Sequence, residues 1–152
     1  MTDHKALFSP TTLGPLKLKH RVIMAPLTRS RSIQPDSVPG DLMREYYEQR
    51  ASDGGLISSE ATNISLTSRG WLGAPGLYSD QQVEGWKKVV PAVHAKGGHM
   101  FAQLWHTGRS SHVAMTGGAT PVVIVTGHLS DHIFRLVEIS FRGFNPTRPL
   151  VL

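Results

Sequence analysis

The 152-residue sequence contains no cysteine, which excludes disulfide frameworks, cysteine-ligated zinc and thiol nucleophiles. It also contains no uninterrupted apolar run of the ~20 residues that a bilayer helix needs. The amino-terminal stretch carries an acid, Asp3, and lacks the apolar segment of a secretory signal. We therefore expect a cytoplasmic protein without a membrane partner.

Acidic residues are scarce in the first part of the chain. Six of the 16 basic residues lie within residues 1–31, against the single acid Asp3, and this imbalance accounts for the net charge of +5. The basic residues interrupt a hairpin-like segment and a loop, whereas nucleic-acid binders cluster them on one face with interleaved aromatic rings. The pattern does not favour a nucleic-acid partner, and a binding module built on this segment is only a remote alternative.

What the sequence does contain indicates one α/β domain. With 39% hydrophobic residues, the chain is long enough to bury one core. Apolar runs typical of buried strands begin near positions 22, 55 and 99. Between them, residues 41–52 and 79–96 carry apolar residues at helical spacing. This alternation of strands and helices is produced by parallel crossover connections.

Local signals predict where these elements begin and turn. Gly14-Pro15 predicts a tight turn between two short apolar segments. Asp41 is the expected N-cap of the first helix, and Ser79 with Gln82 fits a capping box for the second. Pro91 is expected to kink the second helix because it removes one backbone donor.

Each helix is also predicted to bury one side. The buried residues of the first are expected to be Leu42, Met43, Tyr46, Tyr47 and Ala51. Those of the second are expected to be Val83, Trp86, Val90 and Val93.

Each predicted strand ends in polar residues. These residues are Thr28, then Ser59, Glu60 and Thr62, then Gln103 and His106. Because the carboxyl ends of parallel strands meet at one edge of a sheet, we expect them to converge on a ligand site. Each has a structural alternative, since Thr28 can cap a loop, Glu60 can hold an ion pair and Gln103 can satisfy backbone groups. Because all three strands end in polar residues, a ligand site is modestly favoured over these structural alternatives.

Four motifs stand in order between residues 6 and 121. They are APLTR (25–29), YYEQRAS with GGLI and EAT (46–62), GAPGLYSDQQVEGWKKVV with AVHAKGG (73–98) and QLWHTGRSSH (103–112). Together they resemble the Old Yellow Enzyme family of FMN-dependent ene-reductases. The resemblance implies the amino-terminal part of a (β/α)8 TIM barrel, with about three βα units. It also implies that NAD(P)H reduces FMN, which then reduces the C=C bond of a small α,β-unsaturated carbonyl compound.

The resemblance also assigns cofactor-binding residues. Thr28 would be catalytic, with its hydroxyl stabilising charge at the O4 and N5 region of the flavin. Pro26 and Leu27 would line the ring, and Ala61 would allow close backbone approach. Gln103 would bind the pyrimidine side, because one amide offers both a donor and an acceptor.

Two tryptophans are implied as substrate-binding residues. Trp105 would form an aromatic wall of the pocket, and Trp71 lies where relatives place a pocket aromatic. Ordinary core packing is the alternative for both, and for Trp71 the two interpretations are evenly balanced. No histidine spacing indicates a metal site.

The tail of the sequence, residues 122–152, matches none of the family pattern. We therefore divide the chain into a partial flavin-binding barrel, residues 1–121, and a divergent tail. A complete barrel takes ~250 residues, and the later motifs for the substrate carbonyl, the proton donor and the FMN phosphate are missing. The alternative function is thus a truncated, inactive fragment with at most weak FMN binding. The third strand is expected to expose an unpaired edge. The apolar run of residues 122–126 either covers this edge or promotes self-association.

Overall fold

The computed structural model describes residues 4–122 and the backbone of residues 135–138. The helices and strands, in chain order, are β1 (Thr11–Leu13), β2 (Leu16–Leu18), β3 (Ile23–Met24), α1 (Asp41–Glu48), β4 (Leu56–Asn63), α2 (Asp80–Ala95), β5 (His99–Trp105) and β6 (Arg135–Glu138). Short 3-10 helices span His4–Ala6 and Leu66–Ser68. Neither α-helix among the described residues has the length and apolar character needed to cross a membrane.

The amino-terminal hairpin is formed by β1 and β2, which pair antiparallel with Thr11 opposite Leu18. Gly14 turns the chain with φ +54°, a left-handed conformation that favours glycine. The tight turn predicted from Gly14-Pro15 is confirmed.

The main sheet has the strand order β3-β4-β5-β6. The first three strands are parallel, and α1 and α2 connect them in the predicted alternation. β6 runs antiparallel to β5. Among the described residues the sheet does not close into a barrel, so the fold is a partial α/β structure with three parallel strands.

The expectation of an unpaired edge on the third strand is wrong. β6 pairs with β5 along residues 101–104, so a different segment from the predicted 122–126 covers this edge. Beyond Val122, that predicted run lies outside the described residues. In the described part of the chain the two edge strands of this sheet are β3, where Ile23 is 50% exposed, and β6.

The core lies between the two helices and one face of the sheet. It is built from Met43, Tyr46, Tyr47, Ile57, Trp86, Val89, Val90, Val93, Met100 and Ala102. Ile57 and Met100 are partners in register, so both point from the sheet toward the helices. The helical faces predicted from apolar spacing are confirmed, except that Leu42 is 66% exposed and that Ala51, which is partly buried, lies beyond the end of α1.

The helix ends confirm one of the two predicted N-caps and correct the other. The capping box of Ser79 and Gln82 is confirmed, and α2 continues through Pro91 to Ala95. Asp41 is not the N-cap, because Gly40 takes that position without a side-chain cap. Asp41 is instead the first helical residue, and its carboxylate lies 4.0 Å from the Arg44 guanidinium.

Candidate functional site

A β-bulge shapes the carboxyl end of β4. Ser58 pairs with Phe101 but Ala61 pairs with Gln103, so β4 contains one extra residue at this point. The backbone N–H of Gln103 donates to Ser59 Oγ at 3.0 Å, which replaces a ladder bond. The bulge thereby sets Ala61 directly beside Gln103.

The polar side chains of this region lie on the sheet face opposite the helices. Met100 and Ala102 of β5 point into the helix-covered core, so the alternating residues Gln103 and Trp105 point the other way. Their register partners on β4, Ala61 and Asn63, share that face. The Gln103 carboxamide is half-buried and has no hydrogen-bond partner among the described residues, so its donor and acceptor are both available.

A hydrogen bond holds the indole of Trp105 in place. Its Nε1 donates to Asn63 Oδ1 at 2.9 Å, and the Asn63 amide nitrogen donates to the carbonyl oxygens of Pro75 at 3.1 Å and Ala74 at 3.4 Å. These three bonds determine which way the Asn63 amide points. Trp105 therefore has a set orientation before any ligand binds.

The second tryptophan, Trp71, lies beside Trp105. The ring centroids are 6.1 Å apart with the planes inclined by 52°, within the usual range for aromatic pairs. Because Trp71 is 54% exposed, core packing does not account for it. The two rings form one aromatic surface next to Gln103.

Pro26, Leu27 and Thr28 follow β3 and are all exposed. The hydroxyl of Thr28 has no hydrogen-bond partner within the described residues, so nothing there supports a loop-capping role. The next residue, Arg29, connects this segment to the sheet, since its N–H donates to Glu60 Oε1 at 3.4 Å.

Glu60 is buried to 1% exposure, and Tyr47 is fully buried beside it. Tyr47 Oη donates to Glu60 Oε2 at 3.3 Å and accepts the Glu60 N–H at 2.8 Å. Burial raises the pKa of the Glu60 carboxyl from 4.5 to about 7. Burial, followed by the nearby Glu60 charge, raises the pKa of Tyr47. The ion pair considered for Glu60 is thus replaced by bonds to a hydroxyl and a backbone N–H.

Sequence reasoning missed Asn63, and it placed Ser59 among the polar strand ends and Tyr47 in the core without predicting the hydrogen bonds they make to Gln103 and Glu60. Every residue of β4 is buried, although five of its eight side chains are polar, Ser58 through Glu60, Thr62 and Asn63. Buried polar groups are almost always hydrogen-bonded. Polar side chains in a buried strand were therefore the signal that a hydrogen-bond network lies here.

Comparison with known proteins identifies the family. The profile described as the NADH:flavin oxidoreductase / NADH oxidase family matches residues 6–127. The chain belongs to this family. It is 50% identical over 119 residues to the flavin oxidoreductase hxnT of Emericella nidulans, a match covering 76% of this chain and 31% of that protein. It is also 50% identical over 117 residues to 12-oxophytodienoate reductase 7 of Oryza sativa subsp. japonica, covering 76% and 29%.

Solved structures show the same relationship. Morphinone reductase superposes with a TM-score of 0.71 at 60% identity, covering 76% of this chain and 30% of that one. The old yellow enzyme homologue of Zymomonas mobilis gives 0.72 at 51% identity, covering 76% and 32%. The resemblance to Old Yellow Enzymes is confirmed, and this family uses FMN with NAD(P)H as reductant. The chain spans only 29% to 32% of the length of these four relatives.

Proposed function

We propose that this chain binds FMN as part of an NAD(P)H-dependent ene-reductase. FMN, when bound, supplies the hydride chemistry that reduces the C=C bond of a small α,β-unsaturated carbonyl compound. The observation that carries the proposal is the carboxamide of Gln103, which has no hydrogen-bond partner in the described part of the chain and lies beside Ala61, two residues before Trp105. Family membership supports it independently.

The chemistry of these side chains fits a flavin. Its pyrimidine edge offers an N–H flanked by carbonyl oxygens, and the Gln103 amide can accept from the one and donate to the other. Ala61 lies beside Gln103 and is 2% exposed, so in our proposal it contributes a backbone contact at the edge of the ring and no open surface. In our proposal Pro26 and Leu27 line the ring, and the exposed Thr28 hydroxyl donates to its O4 and N5 region, where charge develops on reduction.

The proposed substrate surface is the pair Trp105 and Trp71. The bond from Trp105 to Asn63 holds one indole in orientation, and exposed Trp71 extends the apolar surface beside it. A small enone is mostly apolar with one carbonyl oxygen, which suits an aromatic wall. Because Trp105 is already oriented, little conformational freedom is lost when the substrate binds.

The second candidate function is weak FMN binding without turnover. It is favoured by one observation, that the described residues form a four-stranded sheet and not a closed barrel. Few groups then surround a bound flavin. Steady NADPH oxidation by the purified 152-residue chain with FMN and 2-cyclohexenone would reject this candidate. The absence of any change in FMN fluorescence at ~100 μM chain would reject both, since weaker binding carries little function.

Replacing Gln103 tests the proposed cofactor contact. Gln103→Leu leaves an apolar side chain that is one bond shorter and removes two hydrogen bonds of about 1 kcal/mol each. We expect FMN to bind about 10- to 30-fold more weakly, because every 1.4 kcal/mol is a tenfold change in Kd. Titration of flavin fluorescence quenching measures this change.

The matched control is Gln81→Leu, because Gln81 is exposed on α2. It should bind FMN as the unmodified chain does. Equal affinities for the two variants would show that Gln103 does not contact the cofactor.

A further inference from the structure

The segment that carries Thr28 is attached to β4 through a buried carboxyl group. The Arg29 N–H reaches Glu60 Oε1 at 3.4 Å, and the other carboxyl oxygen accepts from Tyr47 Oη at 3.3 Å. Tyr47 lies in α1 and Glu60 in β4, so one side chain joins a helix, a strand and the segment after β3. Arg29 is the immediate neighbour of Thr28, which makes this the nearest attachment of Thr28 to the sheet among the described residues.

We propose that Glu60 is a positioning residue that holds Thr28 in place by anchoring the Arg29 N–H to β4. The benefit to cofactor binding rests on the proposed contact between Thr28 and FMN. The anchor itself rests only on the geometry of Glu60, Tyr47 and Arg29.

A second attachment holds the far end of the same segment. Ser32 donates to the Gly73 carbonyl oxygen through its N–H at 3.0 Å and its hydroxyl at 2.7 Å. A Cβ on Gly73 would collide with the Ser30 carbonyl oxygen, so the two loops touch closely there. The Ser32 attachment involves no titratable group, whereas the Glu60 attachment does. Changes of pH should therefore act on the Thr28 end alone.

The electrostatic surroundings of Glu60 come from two elements within the described residues. α1 contributes Tyr47, and the segment after β3 contributes the Arg29 charge together with its backbone N–H and that of Ser30. One layer further out, Tyr46 has the guanidinium groups of Arg29, Arg31 and Arg50 over its ring. The Arg29 charge favours the ionised carboxyl, but burial dominates and keeps the pKa of Glu60 near 7.

Ionisation of Glu60 has two opposite consequences. The pKa is raised in the folded chain, from 4.5 to about 7, so its contribution to stability is complete below about 4.5 and is lost as the pH rises through about 7. The hydrogen bond from the Arg29 N–H, in contrast, strengthens when its acceptor becomes charged. A residue that only stabilises the fold would show the first effect without the second.

Nuclear magnetic resonance of the 152-residue chain without FMN separates the two effects. We expect the Arg29 amide proton to move downfield as the pH rises, with a midpoint near 7. In the isosteric Glu60→Gln variant this titration should be absent, and in the control Glu84→Gln, an exposed position on α2, it should be unchanged. The titration can be recorded on the unmodified chain without any variant, so failure of a variant to fold does not prevent the test.

The outcomes separate this inference from the proposed function. A flat Arg29 profile in the unmodified chain, or an identical titration in Glu60→Gln, overturns the anchor. A titrating Arg29 amide that is lost in Glu60→Gln supports it, whether or not FMN binds. FMN affinity is then measured at pH 6 and pH 8, and we expect several-fold tighter binding at pH 8 in the unmodified chain and no such difference in Glu60→Gln. A chain that shows the Arg29 titration but binds no FMN refutes the proposed function and leaves the anchor standing.

Discussion

Trp86→Ala should lower the free energy of unfolding by about 3–5 kcal/mol, the range for removing a large aromatic ring from a core. Trp86 is 0% exposed and packs against Tyr47 with ring centroids 6.2 Å apart. Its Nε1 also donates to the Gly76 carbonyl oxygen at 2.9 Å, which ties α2 to the loop after β4. Domains of this size are stable by only about 5–15 kcal/mol. Urea unfolding followed by far-ultraviolet circular dichroism measures the loss.

The control for this substitution is Trp71→Ala, which removes the same side chain from an exposed position. We expect a change within about 1 kcal/mol there, since exposed sites contribute little to folding. Similar losses of stability in the two variants would mean that the core is not organised around α2 and Trp86.

Asn63→Leu should cost about 2–3 kcal/mol of unfolding free energy. The side chain is fully buried and makes three hydrogen bonds, each worth about 1 kcal/mol. In the variant, the Pro75 carbonyl oxygen still accepts from the backbone N–H of residue 63, and the Ala74 carbonyl oxygen still accepts from the Ser32 hydroxyl. The Trp105 N–H is therefore the group left without its partner, and its indole should become mobile. Urea unfolding gives the energy, and acrylamide quenching of tryptophan fluorescence reports the mobility.

A double-mutant cycle isolates the Asn63–Trp105 bond. Trp105→Phe removes the indole donor, and in that background Asn63→Leu should cost about 1 kcal/mol less than it does alone. Additive losses would show that Asn63 acts only through Ala74 and Pro75. In that case the orientation of Trp105 has another cause.

Much of the fold could be predicted from the sequence because its signals are local. The apolar runs near positions 22, 55 and 99 predict three strands, and residues 41–52 and 79–96 predict the helices between them. The capping box of Ser79 and Gln82 needs only four consecutive residues to form. The motifs along residues 6–121 were enough to recognise the family.

The sequence-based predictions were wrong where a neighbouring residue, the orientation of a helix or a distant segment of chain decided the outcome. Asp41 is a good N-cap residue, but the extended conformation of Gly40 begins the helix one residue earlier. Leu42 has the spacing of a buried residue, yet it lies at the margin of the face that α1 turns toward the core. The covering of β5 by residues 135–138 depends on pairing across some 30 residues of chain, which no short pattern records.

The sequence by itself determined the order of the three parallel strands and the two helices between them, the hairpin turn and the family, because each depends on residues that are near one another or on motifs read directly. Only the tertiary structure decided that Asn63 holds Trp105, that Ser59 replaces a ladder bond of Gln103, and that Glu60 holds the segment beside Thr28. These contacts join residues 31 to 44 positions apart. Their geometry follows from strand register and from one extra residue in β4, and a single-residue change in register would turn the same side chains to the opposite face.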